Sequence, residues 1–237
     1  MQIIGHRGAR NEAPENTLGG FNYLKQLGID AVEFDLRQLH DHTLVVIHDD
    51  NLARTTGTSQ PLTDCQARHL PQHNHCKLWP HWPHQEPTPT LTQVLEIIDH
   101  FTHIELEIKA VQSMSDAEKI IETLHQNLSS HFHKTLVITS FDVKILTALQ
   151  KFTSPFKRGL LVEDTSHRAI DHALKLECCQ IGWLNTLATQ DQIKATHDAG
   201  LNVSVWTVNQ PERARQLKDW GVNGLITDVP QLMQMHI

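Results

Sequence analysis

The chain has 237 residues, of which 39% are hydrophobic and 20% charged, the composition of a soluble globular protein long enough to bury one large core. A formal net charge of −7 without clustered Lys and Arg excludes a nucleic-acid binder, because phosphate neutralisation needs a concentrated basic face. No apolar run reaches a membrane span and no charged n-region precedes an apolar segment, so the reading is a cytoplasmic protein without membrane insertion.

Gln2 to Gly5 reads as a short buried strand ending at His6-Arg7-Gly8. Pro14 suits a first helical turn, Leu18, Phe21, Leu24 and Leu27 mark one helical face, and Gly28 stops it. The second strand runs from Ala31 to Leu36. Only a short connection at Asp41-His42 separates it from the apolar run Leu44 to Ile47, which requires an antiparallel hairpin, because a parallel crossover needs about a dozen residues. A turn at Asp41-His42 sets His48 opposite Asp35. A turn shifted by one residue would aim His48 away from it.

The second helix does not begin until Thr90-Leu91-Thr92-Gln93, which has capping-box form. The insertion between, 50–87, carries His69, His73, His75, His81 and His84 around Cys76. It lacks zinc-finger spacing and reads as a polar surface insertion. Cys65, Cys76, Cys178 and Cys179 show no disulfide framework and read as reduced thiols.

Regular alternation follows. Strands are expected at His103 to Ile108, Thr135 to Thr139, Arg158 to Val162, Gln180 to Leu184, Asn202 to Trp206 and Gly224 to Thr227. Helices follow from capping boxes at Ser115 to Glu118 and Thr189 to Gln192, from Asp142, near Ser166 to Leu176, and from Pro211 to Gly221, with a short one after Pro230. Eight strand-helix units in one chain define an α/β protein that closes most economically into a (β/α)8 TIM barrel of one domain, 1–237.

The active site of such a barrel lies at the C-terminal ends of its strands. His6, Arg7, Glu33, Asp35, Glu105, Glu107, Lys109, Ser140, Glu163, Asn185, Trp206, Thr227 and Asp228 sit there. Glu105, Glu107 and Lys109 share one face of their strand. Lys109 can neutralise only part of this negative charge, so a bound Mg²⁺ or Ca²⁺ resolves the repulsion. Two imidazoles, His6 and His48, beside an Arg suited to bidentate phosphate contact form an acid/base pair. Trp206 reads as a rim aromatic or a packing surface for substrate; Ser140, Glu163 and Asn185 read as supporting hydrogen-bond partners.

Gly5-His6-Arg7-Gly8, Pro14-Glu15-Asn16-Thr17, Glu33-x-Asp35, Val46-Ile47-His48-Asp49, Arg54-Thr55-Thr56, Pro89-Thr90-Leu91, Glu107-Ile108-Lys109, Ser140-Phe141, Val205-Trp206-Thr207-Val208-Asn209 and Thr227-Asp228-x-Pro230 together resemble the glycerophosphodiester phosphodiesterase family, in order and over nearly the whole chain. The resemblance implies a (β/α)8 barrel with an insertion after the second strand. It implies cleavage of glycerophosphodiesters to glycerol 3-phosphate and an alcohol, dependent on one divalent cation (Mg²⁺ or Ca²⁺, with Mn²⁺ admissible). Position by position it makes Glu33, Asp35 and Glu107 metal ligands, His6 and His48 the acid/base pair, and Arg7 and Lys109 phosphate or substrate contacts. It leaves the role of Glu105 open. The competing expectations are lysophospholipase D-type action, for which Leu78, Trp79 and Trp82 would supply an apolar rim, and a non-catalytic phosphate-ester binding barrel.

Overall fold

The computed structural model describes residues 1–128, 132, 134–164 and 168–237. Eight parallel strands form the barrel: β1 (Gln2–His6), β2 (Ala31–Gln38), β4 (His103–Ile108), β5 (Leu136–Ser140), β6 (Lys157–Val162), β7 (Gln180–Leu184), β8 (Asn202–Trp206) and β9 (Gly224–Thr227). Their order, β1-β9-β8-β7-β6-β5-β4-β2, closes through a β1–β2 pairing. The strands are short apolar runs buried on both faces, as a parallel sheet covered by helices requires.

The covering helices are α1 (Leu18–Leu27), α3 (Leu91–Ile97), α4 (Met114–Asn127), α5 (Val143–Lys151), α6 (Ala169–Lys175), α7 (Gln190–Asp198), α8 (Pro211–Asp219) and α9 (Pro230–His236), with a one-turn α2 (Ala53–Thr56) in the insertion. Helix α1 starts later than Pro14 suggests, because Thr17 is its N-cap and accepts from Gly20 N. It ends at Gly28 in the left-handed conformation, φ 72°. Phe21 of α1 packs edge-on against Phe34 of β2, centroids 5.6 Å apart, and anchors the first unit to the sheet.

Two capping expectations change. The box that opens α4 uses Ser113 and Asp116, two residues before the expected one: Ser113 is extended and Asp116 reaches back to its N–H. Thr189 accepts from Gln192 N, and among the described residues the Gln192 side chain makes no return bond. The start expected for α6 at Ser166 lies outside the described residues.

Hairpin strand β3 (Leu44–Val46) pairs antiparallel with the end of β2. Its register is one residue away from the expected one: Leu36 faces Val46, and Ile47 N donates to Asp35 O. His42 takes φ 67° and donates its N–H to Leu39 O, so the turn spans one more residue than Asp41-His42.

The insertion is more than a polar surface segment. Leu62, Cys65 and Leu70 form a small core with Leu39, Val45, Ile47 and Leu52. His75 is buried between two hydroxyls, Thr55 Oγ1 at 2.8 Å from Nδ1 and Thr88 Oγ1 at 2.6 Å from Nε2. Burial lowers its pKa to about 4, so this histidine is a neutral strut between the two ends of the insertion.

Candidate active site

Strand register builds the site floor. His6 pairs with Glu33 across β1–β2, and Asp35 with Glu107 across β2–β4. Neighbouring parallel strands in register point such partners to the same side, so four polar side chains meet at one end of the barrel. Beyond His6 the chain turns through Arg7 at φ 51° and Gly8 at φ 87°. This brings Arg7 N within 3.1 Å of Glu33 Oε2. A side chain on Gly5 would collide with the Gly8 carbonyl and with Leu24, so the close turn demands glycine there.

Glu33, Asp35 and Glu107 are buried, and each offers a carboxylate oxygen within 4.8 Å of the others. Lys109 Nζ lies 2.5 Å from Glu107 Oε1 and 2.6 Å from Asp35 Oδ1; Arg7 Nε lies 3.1 Å from Asp35 Oδ2. The two contacts to Asp35 are ion-pair distances off the hydrogen-bond axis, and Asp35 Oδ1 and Arg7 Nε lack an aligned partner among the described residues. Asn16 Nδ2 donates to Asp35 Oδ2 at 2.8 Å.

Burial would raise all three carboxyls. For Asp35, Lys109 and Arg7 outweigh it and hold the group well below the usual carboxylate range. Glu33 is pushed well above that range by burial and by the charges of Asp35 and Glu107, and Glu107 is pushed to about 7 by burial and Asp35. Two acids reluctant to ionise beside a carboxylate oxygen without an aligned donor make an all-oxygen donor set that fits a hard divalent cation.

Each candidate histidine rests on a carboxylate. His6 Nδ1 lies 2.5 Å from Asp228 Oδ1, and Asn209 Nδ2 holds the other Asp228 oxygen at 2.7 Å. His48 Nδ1 lies 2.8 Å from Asp49 Oδ1. Both Nδ1 atoms are thereby engaged as donors, and neither Nε2 has a hydrogen-bond partner among the described residues, that of His6 lying 3.8 Å from Glu33 Oε2. Burial lowers both imidazole pKa values, against the raising effect of Asp228 on His6 and of Asp35 on His48. Neutral imidazoles of this kind can accept a proton near neutral pH.

A cavity of about 250 Å³ is lined by His6, Arg7, Arg10, Glu33, His48, Glu107, Lys109, Phe141, Leu161, Glu163, Trp206, Thr207 and Ile226. His48 reaches it despite the shifted register, because β3 ends at Val46 and the chain bends beyond it. Arg37 Nε holds the bend through His48 O at 2.8 Å. Trp206 donates Nε1–H to Gly182 O and packs edge-on against Phe141.

Other expected site residues lie elsewhere. Glu105 is fully buried one layer below the mouth, contacted by His103 Nε2 at 3.1 Å and Ser204 Oγ at 3.3 Å. Two residues down a strand is about 7 Å, too deep for the cavity. Ser140 donates to Ile108 O and accepts from Asp142 N, and Asn185 receives Arg213 Nε, so both support loops. Glu163 has no hydrogen-bond partner among the described residues and is exposed at the cavity wall. Leu78, Trp79 and Trp82 are absent from the cavity lining; Trp82 instead packs on Tyr23 and donates to Glu86.

Sequence reasoning missed the network behind the site. Arg54 forks onto both oxygens of Glu15 at 2.6 and 2.7 Å and onto Asp49 at 2.7 Å, while Glu15 accepts from Arg7 Nη1 at 3.1 Å. Glu15, Asn16, Asp49 and Arg54 all fall inside the short motifs quoted above, and Asp228 was expected at the mouth but not as the partner of His6. Adjacency within the motifs was the available signal for the first four.

The closed parallel barrel gathers three buried acids, two cations and the imidazole of His6 at the C-terminal ends of its strands, and the hairpin adds that of His48, which makes a barrel with a metal-competent mouth. The chain belongs to the glycerophosphoryl diester phosphodiesterase family, whose model matches residues 6–232, and membership makes it a phosphodiesterase. A glycerophosphodiester phosphodiesterase of Caldanaerobacter subterraneus subsp. tengcongensis is 27% identical over 234 residues, covering 98% of this chain and 95% of the relative. A lysophospholipase D of Rattus norvegicus is 27% identical over 263 residues, covering 96% and 83%. An Oleispira antarctica phosphodiesterase, solved in complex with the product sn-glycerol-3-phosphate, superposes with a TM-score of 0.87 at 26% identity, covering 100% of this chain and 96% of that one. No helix among the described residues is long and apolar enough to cross a membrane.

Proposed function

We propose that the chain hydrolyses glycerophosphodiesters to glycerol 3-phosphate and an alcohol, with His6 and His48 as the acid/base pair beside a divalent cation held by Glu33, Asp35 and Glu107. The observation that carries the proposal is the pair of imidazoles, each with Nδ1 on its own carboxylate, lining one cavity with Glu33, Glu107 and Lys109. A cation bound there would act as a Lewis acid toward a phosphoryl oxygen and offset the charge of the three acids.

Arg7 and Lys109 supply fixed positive charge for the phosphodiester anion and for the charge that builds up in the transition state. Their ion pairs with Asp35, Glu15 and Glu107 hold them in place before substrate arrives. One imidazole, neutral, takes the proton of the attacking oxygen at Nε2, while the other enters the step as an imidazolium, protonated at both nitrogens, and gives its Nε2 proton to the leaving alkoxide. Asp228 and Asp49 keep the reactive Nε2 atoms aimed into the cavity. Trp206, fixed through Gly182 O, offers a packing surface for the substrate.

A water-soluble diester suits the site better than a lysolipid, because the apolar residues Leu78, Trp79 and Trp82 lie outside the cavity lining. We take 1–237 as one domain, the insertion included, since its small core is shared with hairpin residues Val45 and Ile47. A reducing compartment, the cytoplasm, fits the four unpaired cysteines.

The test is a coupled assay for glycerol 3-phosphate over a panel of glycerophosphodiesters, with chelator and with Mg²⁺, Mn²⁺ or Ca²⁺ restored. His6→Ala and His48→Ala should each lose roughly 10²–10⁴-fold in kcat. Near-parental turnover in both variants would overturn the mechanism, and ligand binding without glycerol 3-phosphate release would favour a binding barrel.

A further inference from the structure

The cavity has two unlike halves. His6, Arg7, Glu33, Glu107 and Lys109 come from the ends of β1, β2 and β4, and His48 from the hairpin beside them. The opposite arc, from the ends of β5, β6 and β8, contributes Phe141, Leu161, Glu163 and Trp206. On that arc the Phe141 and Trp206 rings stand 5.3 Å apart at 82°. Trp206 spends its N–H on Gly182 O, so it meets a ligand through its ring alone. Glu163 is exposed on the same wall, and no hydrogen bond or ion pair engages its carboxylate among the described residues.

A lone carboxylate beside an anion site works against an anionic substrate. The cations that line the cavity are already engaged, Arg7 by Asp35 and Glu15, Lys109 by Asp35 and Glu107, and Arg10 by Glu15 and Asp228. Another negative charge in the same cavity weakens binding unless the substrate itself brings a positive charge to that end. Two rings at right angles in one cavity with a carboxylate are surroundings an alkylammonium group prefers, because the ring faces attract a cation and tolerate its methyl groups.

We propose that the Phe141–Trp206–Glu163 wall is a subsite for a cationic leaving alcohol, an amino alcohol carrying an alkylated ammonium, and that Glu163 sets this preference. The proposal deepens the hydrolytic reading of the same cavity and rests on it. The phosphate lies toward Arg7 and Lys109, and the headgroup extends across the cavity to the aromatic pair.

The experiment compares kcat/KM for glycerophosphocholine, glycerophosphoethanolamine and glycerophosphoglycerol at fixed low ionic strength. The parental chain should prefer the choline diester over the neutral glycerol diester about tenfold, from one cation–π site and one partly exposed charge pair. Glu163→Gln should collapse the cationic-to-neutral ratio toward unity, and Phe141→Leu should reduce the choline-to-ethanolamine ratio. A parental ratio at or below unity, or one unaltered in Glu163→Gln, overturns the subsite. If no diester turns over with any of Mg²⁺, Mn²⁺ or Ca²⁺, the hydrolytic reading fails. Calorimetric titration with the same three diesters then still decides the subsite: tighter binding of the choline diester, lost in Glu163→Gln, upholds it, and equal affinities sink it.

Discussion

Asp228 Oδ1 lies 2.5 Å from His6 Nδ1 although 222 residues separate them in the chain. The contact joins the end of the last barrel strand to the end of the first, and β1–β9 pairing holds the two ends together. Asp228 is therefore a positioning residue for His6. Asp228→Asn keeps the shape but leaves one carbonyl acceptor for two donors, His6 Nδ1–H and Asn209 Nδ2–H. The expected outcome is a roughly 10²–10⁴-fold fall in kcat with little change in KM. Because Asp228 raises the His6 pKa, its removal should move the acidic limb of the pH–rate profile to lower pH. An unchanged kcat and an unmoved limb would refute the role.

Arg54 ties the two halves of the site together. Its guanidinium holds Glu15, which anchors Arg7, and Asp49, which anchors His48. Glu15 is buried, so Arg54→Ala strips a buried acid of a bidentate partner, a loss of about 3–5 kcal/mol for a fully buried pair. Arg54 is 33% exposed and Arg7 remains on Glu15, which reduces the expected loss to about 2 kcal/mol. Thermal melts should then show a fall of roughly 4–8 °C. Arg54→Lys, which keeps the charge without the fork, should melt in between.

The three clustered acids predict stabilisation by divalent cations. At a concentration a hundred times the dissociation constant, a single bound ion adds about 2.7 kcal/mol, or roughly 5–10 °C in Tm for a chain of this length. Chelator should reverse the rise. Asp35→Asn should abolish the cation response, measured as Tm with and without Mg²⁺ or Mn²⁺, whatever its effect on turnover. A cation-induced shift that survives in Asp35→Asn would place the ion elsewhere.

His75 makes stability depend on pH. Its folded pKa of about 4 lies below the ordinary value of 6.5 because burial disfavours the imidazolium. As pH falls below about 6.5 the unfolded chain gains a proton that the folded chain refuses, so the unfolded state binds more protons. The contribution is complete above about pH 6.5 and is lost progressively down to about pH 4, in total about 3 kcal/mol. Urea unfolding at pH 7 and pH 4.5 should show this loss in the parental chain and a smaller one in His75→Gln. Equal pH dependence in the two would remove His75 as the cause.

The sequence by itself determined the parts whose causes are local. Alternating apolar runs and amphipathic segments located the eight barrel strands, and the glycine stop after Leu27 and the Thr90–Gln93 box lie where side-chain chemistry puts them. The Glu33–Asp35 spacing already implied two acids on one face, since strand periodicity is a property of neighbours in the chain. Tertiary structure alone decided that the cavity reaches Glu107 and not Glu105, because which layer of a strand opens to the mouth depends on how strands stagger around the barrel. It also decided that Asp228 backs His6, that Arg54 links Glu15 to Asp49, and that His48 reaches the cavity by a bend rather than by hairpin register. Each of these depends on closing loops or strands whose contacts are remote in sequence, and short-range patterning carries no record of which remote partners meet.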